Sequence, residues 1–139
     1  ALAGALLRYA AYTGSAEHRE AAERALGVIS ALAARHARFA GWGLAAAEAL
    51  VDGPREIAVL GPTDDPRTQA LRRVALLGTA PGAVVAVGDP AELAAVPLLY
   101  DRPLVDGAPT AYVCRQFTCD APTTEADVLA AQVGARRPG

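Results

Sequence analysis

Ile57-Ala58-Val59-Leu60 and, some twenty residues on, Ala83-Val84-Val85-Ala86-Val87 decide the fold. Each is a short, nearly continuous apolar run closed by a glycine, the pattern of a strand covered on both faces. Between them Asp65 is placed to cap, and Pro66 to start, a helix through Leu71, Val74, Ala75 and Leu77 to Gly78. Strand, helix, strand at this spacing is a βαβ unit, which predicts parallel strands joined by a right-handed crossover.

Downstream, Asp89-Pro90 precedes a short helical stretch, Ala91 to Ala95, and the Asp106-Gly107 pair signals a turn. Thr110 to Cys114 reads as a third strand. Pro122 then stops the chain before a helix-start signal, Thr123-Thr124-Glu125, and a helix to Val133. Arg136 to Gly139 reads as a disordered tail.

Upstream the periodicity is helical. Leu2, Leu6, Tyr9 and Thr13 fall on one face of a helix that Gly14 breaks, with no capping residue before it, so the chain is expected to begin inside a fold. Ser15 caps a second helix running to about Phe39, with Ala22, Ala25, Leu26, Ile29, Leu32 and Ala33 on its apolar stripe. Gly41-Trp42-Gly43 opens a third, Leu44 to Val51, which Asp52-Gly53-Pro54 ends. The expected class is α/β: helices over 1–53, a small three-layer α/β subdomain with about three strands over 54–135, and a tail over 136–139.

Alanine is the largest single contributor to the 53% hydrophobic content, and only two Phe, one Trp and four Tyr are available as large aromatic fillers. Close helix packing, rather than a bulky core, follows. A net charge of −2 with no basic stripe argues against nucleic-acid binding. The longest apolar runs are broken well short of a membrane span, and the amino end lacks a signal-peptide pattern, so no membrane partner and a cytoplasmic location are expected.

Taken in order, Glu56 to Gly61, Pro81 to Val85, Ala108 to Cys114, Phe117-Thr118-Cys119 and Pro122-Thr123-Thr124 resemble the carboxyl end of one family. It is the family of thioredoxin-domain-containing proteins that includes the spermatogenesis-associated thioredoxin-like protein. Members carry an amino-terminal thioredoxin-like domain and then a six-hairpin helical barrel similar to that of N-acylglucosamine 2-epimerases. The resemblance implies that residues 1–53 are the remnant of an α/α barrel. It also implies that the missing amino-terminal part of the parent is a partner, and that the segment serves as a non-catalytic structural and docking piece. The family's redox motif has no counterpart here, so no catalytic residue and no cofactor are carried over.

The residues themselves leave a few chemical options open. Cys114 and Cys119 form C-x4-C rather than the C-x-x-C of a thioredoxin-type pair. On one continuous strand their Cα atoms would stand roughly 16 Å apart at about 3.3 Å per residue, whereas a disulfide needs less than about 7 Å. Bridging therefore requires a chain reversal within Arg115 to Thr118. The plain expectation is a buried cysteine plus a second thiol in the loop; the sharper one is a redox pair assisting the parent's thioredoxin-like domain. His18 and His36 are too far apart on one helix to share a metal, roughly 27 Å at about 1.5 Å per residue, and both are expected on the surface. No metal site is expected.

Asp64 and Asp65 occupy the turn where α/β proteins bind phosphates, but as carboxylates they repel anions and are expected to cap. Glu48 and Asp52, four apart on a helix, resemble a solvated pair more than facing glycosidase acids. Trp42 is a core or interface anchor, or a stacking surface for a sugar ring. Apolar helix faces once held inside a barrel predict self-association.

Overall fold

The computed structural model describes residues 1–92, 96–116 and 118–135. Among these residues five α-helices and four strands follow one another as α1 (Leu2–Thr13), α2 (Ala16–His36), α3 (Gly41–Asp52), β1 (Glu56–Leu60), α4 (Pro66–Leu76), β2 (Val84–Gly88), β3 (Thr110–Arg115), β4 (Thr118–Cys119) and α5 (Ala126–Val133). The chain is α/β, with the helical segment ahead of the sheet. The expected helix over Ala91 to Ala95 and the expected tail over 136–139 involve residues outside those described.

The sheet is mixed, in the order β2-β1-β3-β4. β1 and β2 are parallel in the register Glu56↔Val84 to Leu60↔Gly88, as the βαβ spacing requires, with α4 as the crossover. β3 lies antiparallel on the other side of β1, and β4 extends the sheet beyond β3. β4 is a fourth strand where about three were expected. It is two residues long, too short for any periodicity to reveal. Pairing continues past it, since Ala111 and Thr123 exchange both backbone hydrogen bonds.

Three apolar clusters hold the layers together. On one face of the sheet Ile57, Val59, Ala111 and Val113 meet Leu71 and Ala75 of α4 and Leu129 and Val133 of α5. On the other, Ala58, Leu60, Val84 and Ala86 meet Ala11 of α1 and Leu98 and Leu99 of a 3-10 turn. Tyr12 adds a hydrogen bond from its hydroxyl to the Val85 carbonyl oxygen. A third cluster, Leu7, Ala22, Leu26 and Ala49, joins α1, α2 and α3. Helix α1 thus belongs both to the helical segment and to the third layer of the sheet.

That double role overturns the face expected of α1. Leu2 and Tyr9 are exposed, while Leu7 and Ala11, one turn apart, are buried. Leu6 packs at the margin of the helical cluster. The stripe is rotated because α1 faces α2 and α3 on one side and the sheet on the other. The stripe of α2 is close to expectation: Ala22 and Leu26 are buried and Ile29 packs beside them, whereas Leu32, nearer the carboxyl end, is exposed. Among the described residues, no helix is long and apolar enough to cross a membrane.

Helix ends follow local chemistry. The Asp65 carboxylate accepts from the Arg67 backbone N–H at 2.8 Å, and Pro66 stands at the first helical position of α4. The same carboxylate is held below its usual pKa, first by the side-chain hydrogen bond from Arg67 and then by Arg67's backbone N–H. Ser15 accepts from the His18 N–H at the start of α2. Thr123 receives the Glu125 N–H at 3.0 Å ahead of α5.

Candidate functional site

Sequence places the two cysteines five positions apart; the fold places them opposite each other. Gln116 adopts a left-handed backbone, φ 49°, and the chain reverses there so that Cys114 pairs with Cys119 and Arg115 with Thr118. The Cα atoms of the cysteines are 3.9 Å apart and their sulfurs are joined in a disulfide. The expectation of a buried cysteine beside an unconnected loop thiol is therefore corrected. Cys114 is buried, as expected, but Cys119 is its exposed partner on the outermost strand.

Strand alternation puts Cys114 on the same face as Tyr112, and Glu56 beside it as its register partner on β1. Arg102, from the loop after the 3-10 turn, reaches over this corner. Its Nη1 lies 3.3 Å from Cys114 Sγ and 3.9 Å from Cys119 Sγ. Two further contacts hold it there: Nε donates to the Leu98 carbonyl at 2.7 Å, and the guanidinium carbon stands 5.3 Å from the centre of the Tyr112 ring. The Tyr112 hydroxyl donates to the Pro103 carbonyl and fixes that loop in turn.

Burial pushes the Glu56 carboxyl above its usual pKa, and the positive charges of Arg102 and then Arg19 partly offset it. The corner thus holds a disulfide between an exposed and a buried cysteine, a cation nearest the buried one, and a carboxyl that retains its proton more readily than usual. Sequence reasoning singled out the cysteines and missed Arg102 and Glu56. Nothing local marks Arg102, twelve positions before Cys114, because its placement depends on tertiary folding alone.

The outer edge of the site is clamped to the helical segment. Asp52 at the end of α3 receives Arg115 Nη1 at 3.1 Å and Arg55 Nη1 at 3.0 Å. Gly53, at φ 80°, lies so close beneath the hairpin tip that a Cβ there would stand 2.8 Å from Gln116 Cγ and 3.1 Å from Arg115 Cγ. Asp52 is therefore an ion-pair residue, engaged away from Glu48.

The remaining sequence candidates lie elsewhere. Trp42 is 84% exposed at the start of α3, which removes the core-anchor reading. His18 is not simply exposed, as expected, but half-buried. Its Nδ1 lies 2.6 Å from Ser15 Oγ and its ring 4.5 Å from that of Tyr9, because α1 folds back against the start of α2. His36 is exposed at the far end of α2, near Phe39. Among the described residues no group of three or more His, Cys, Asp or Glu is arranged to hold a metal ion. Asp64 and Asp65 border an open surface depression with Pro62, Pro66 and Arg67. The Asp65 carboxylate already occupies the first free N–H of α4 there.

Comparison with protein-family models, with curated proteins and with solved structures gives no match for this chain.

Proposed function

We propose that this chain works as a thiol–disulfide exchange segment, its Cys114–Cys119 pair cycling between disulfide and dithiol against a partner pair of thiols that is oxidised as this one is reduced and reduced as it reforms. The observation that carries the reading is the asymmetry of the pair: one sulfur belongs to an exposed residue, the other is buried beside a guanidinium. Exchange needs an accessible sulfur to attack and a leaving thiolate that is stabilised, and a neighbouring cation does the second. In a reducing compartment, disulfides of mesophilic proteins are mostly transient, catalytic or redox-sensing.

The resemblance suggests a partner of one chemical class, a thioredoxin-like domain carrying a dithiol. The test is reduction of the folded protein by a dithiol under native conditions, followed by alkylation and intact mass. Recovery of two free thiols with unchanged circular dichroism, and return to the disulfide on reoxidation, is the expected result. A disulfide that opens only after unfolding would reduce it to a structural staple.

A second reading, as a non-catalytic docking segment, draws support from the helical surface. Val28 of α2, Phe39 of the 3-10 turn that follows it, and Trp42 and Val51 of α3 are each more than 70% exposed. Faces of this kind favour association. Sedimentation over a wide concentration range tests it: self-association weakened by Trp42→Ser is expected, and a clean monomer at high concentration counts against it. A sugar-stacking role for Trp42 ranks below both, and predicts quenching of its fluorescence by mono- or disaccharides.

A further inference from the structure

The direction of attack on the disulfide is written into its surroundings. We infer that an incoming thiolate attacks Cys119, that Cys114 is the leaving sulfur, and that Arg102 is the catalytic cation that stabilises the Cys114 thiolate. The inference rests on the exchange reading above and adds to it the order of steps and the residue that sets it.

Three observations converge. Cys119 is exposed at the sheet edge, whereas Cys114 is only 2% exposed near the end of β3, so a nucleophile from solvent reaches the Cys119 end of the disulfide more readily. Arg102 Nη1 is nearer Cys114 Sγ than Cys119 Sγ, 3.3 Å against 3.9 Å, so it favours charge on the inner sulfur. The guanidinium is pre-set by the Leu98 carbonyl and the Tyr112 ring, so it does not have to reorganise as the charge appears. Glu56 is the opposing charge at this corner. It is half-buried, and burial raises its carboxyl pKa, with Arg102 and Arg19 as the cations that oppose the rise.

One thiolate of a partner dithiol bonds to Cys119 Sγ, the Cys114–Cys119 bond breaks, and its electron pair leaves on Cys114 Sγ beside Arg102. The partner's second thiolate then attacks its own sulfur in the mixed disulfide and releases the Cys119 thiolate. The partner ends as a disulfide, oxidised by two electrons, and this chain ends as a dithiol. The protons given up by the partner's thiols pass through solvent to the Cys114 and Cys119 thiolates.

Reduced glutathione is the probe. The full-length oxidised chain and its Arg102→Ala and Arg102→Lys variants are exposed to it at neutral pH, quenched by alkylation and mapped by peptide mass. Glutathione on Cys119 with alkylated Cys114 is expected, with opening slowed roughly threefold to tenfold in Arg102→Ala and partly restored in Arg102→Lys. Should Arg102→Ala fold poorly by circular dichroism, thiolate absorbance is titrated in Cys119→Ser and in Cys119→Ser with Arg102→Lys. A lower Cys114 pKa with arginine in place is expected. Glutathione found on Cys114, or unchanged rates and pKa values, overturns the role of Arg102 while exchange stands. A native disulfide inert to both glutathione and dithiol overturns the exchange reading itself.

Discussion

Asp52, the last residue of α3, and Arg115, the last residue of β3, meet at 3.1 Å and tie the helical segment to the edge of the sheet that bears the disulfide. Arg55 shares the same carboxylate. Both of the Asp52–Arg115 side chains are nearly half exposed, and exposed ion pairs contribute only about 0–1 kcal/mol. Asp52→Ala is therefore expected to lower stability in urea by no more than about 1 kcal/mol without altering helix content. A loss much greater than that would mean that the clamp organises the fold rather than trimming it.

The disulfide closes a loop of only a few residues, so its effect on stability is bounded. Loop-closure entropy for such a short link gives roughly 2 kcal/mol at 25 °C. Equilibrium urea unfolding of the folded dithiol should show a loss of that order, with the same slope. A far larger loss would assign the pair a structural duty and weaken the case for reversible cycling.

The βαβ unit was legible because its strands are covered on both faces and so are apolar without interruption, and because Asp65-Pro66 and the two closing glycines mark the ends. The candidate site was legible only as two cysteines. Its pairing depends on a reversal at Gln116, a residue type with no strong turn signature, and on Arg102 arriving from a loop whose path no periodicity records. The α1 stripe was misjudged for a related reason. A helix wedged between two neighbours buries a face set by both, and alanine on that face carries little hydrophobic signal.

The corrected α1 face makes a direct prediction. Leu7 is 3% exposed within the helical cluster, and Leu2 is 70% exposed. Leu7→Ala should cost about 2–5 kcal/mol, while Leu2→Ala stays within roughly 0.5 kcal/mol of the parent. Urea midpoints measured side by side decide it, and equal losses would restore the face inferred from periodicity.

Gly43 records how closely α2 and α3 approach. A Cβ built there would collide with Ile29 Cγ2 and stand 3.0 Å from its Cγ1. Alanine is the better helix former by about 1 kcal/mol, but overpacking of a tight contact costs about 1–3 kcal/mol. Because the colliding atoms include the β-branch of Ile29, which is stiff, the clash should win and Gly43→Ala should be destabilising. The double variant Gly43→Ala with Ile29→Ala should recover part of that loss in a thermodynamic cycle. A stabilising Gly43→Ala would show that the helices stand further apart.

Glu56 gives the fold a pH dependence of definite sign. Burial raises its carboxyl pKa in the folded state, and Arg102 and Arg19 only partly oppose the rise. A raised folded pKa means that the folded chain holds this proton more tightly than the unfolded chain. The resulting stabilisation is complete below the unfolded carboxyl value of about 4.3 and disappears as pH climbs through the folded value. Glu56→Gln, neutral at every pH, removes that loss, so its stability relative to the parent should be greater at pH 7 than at pH 4. Combining each chain with Arg102→Ala should widen the difference, since the main opposing charge is then gone. Urea midpoints at the two pH values provide the measurement. An advantage for glutamine that shrinks towards neutral pH would mean that the two arginines, rather than burial, govern this carboxyl, and would place a fully ionised Glu56 beside the disulfide.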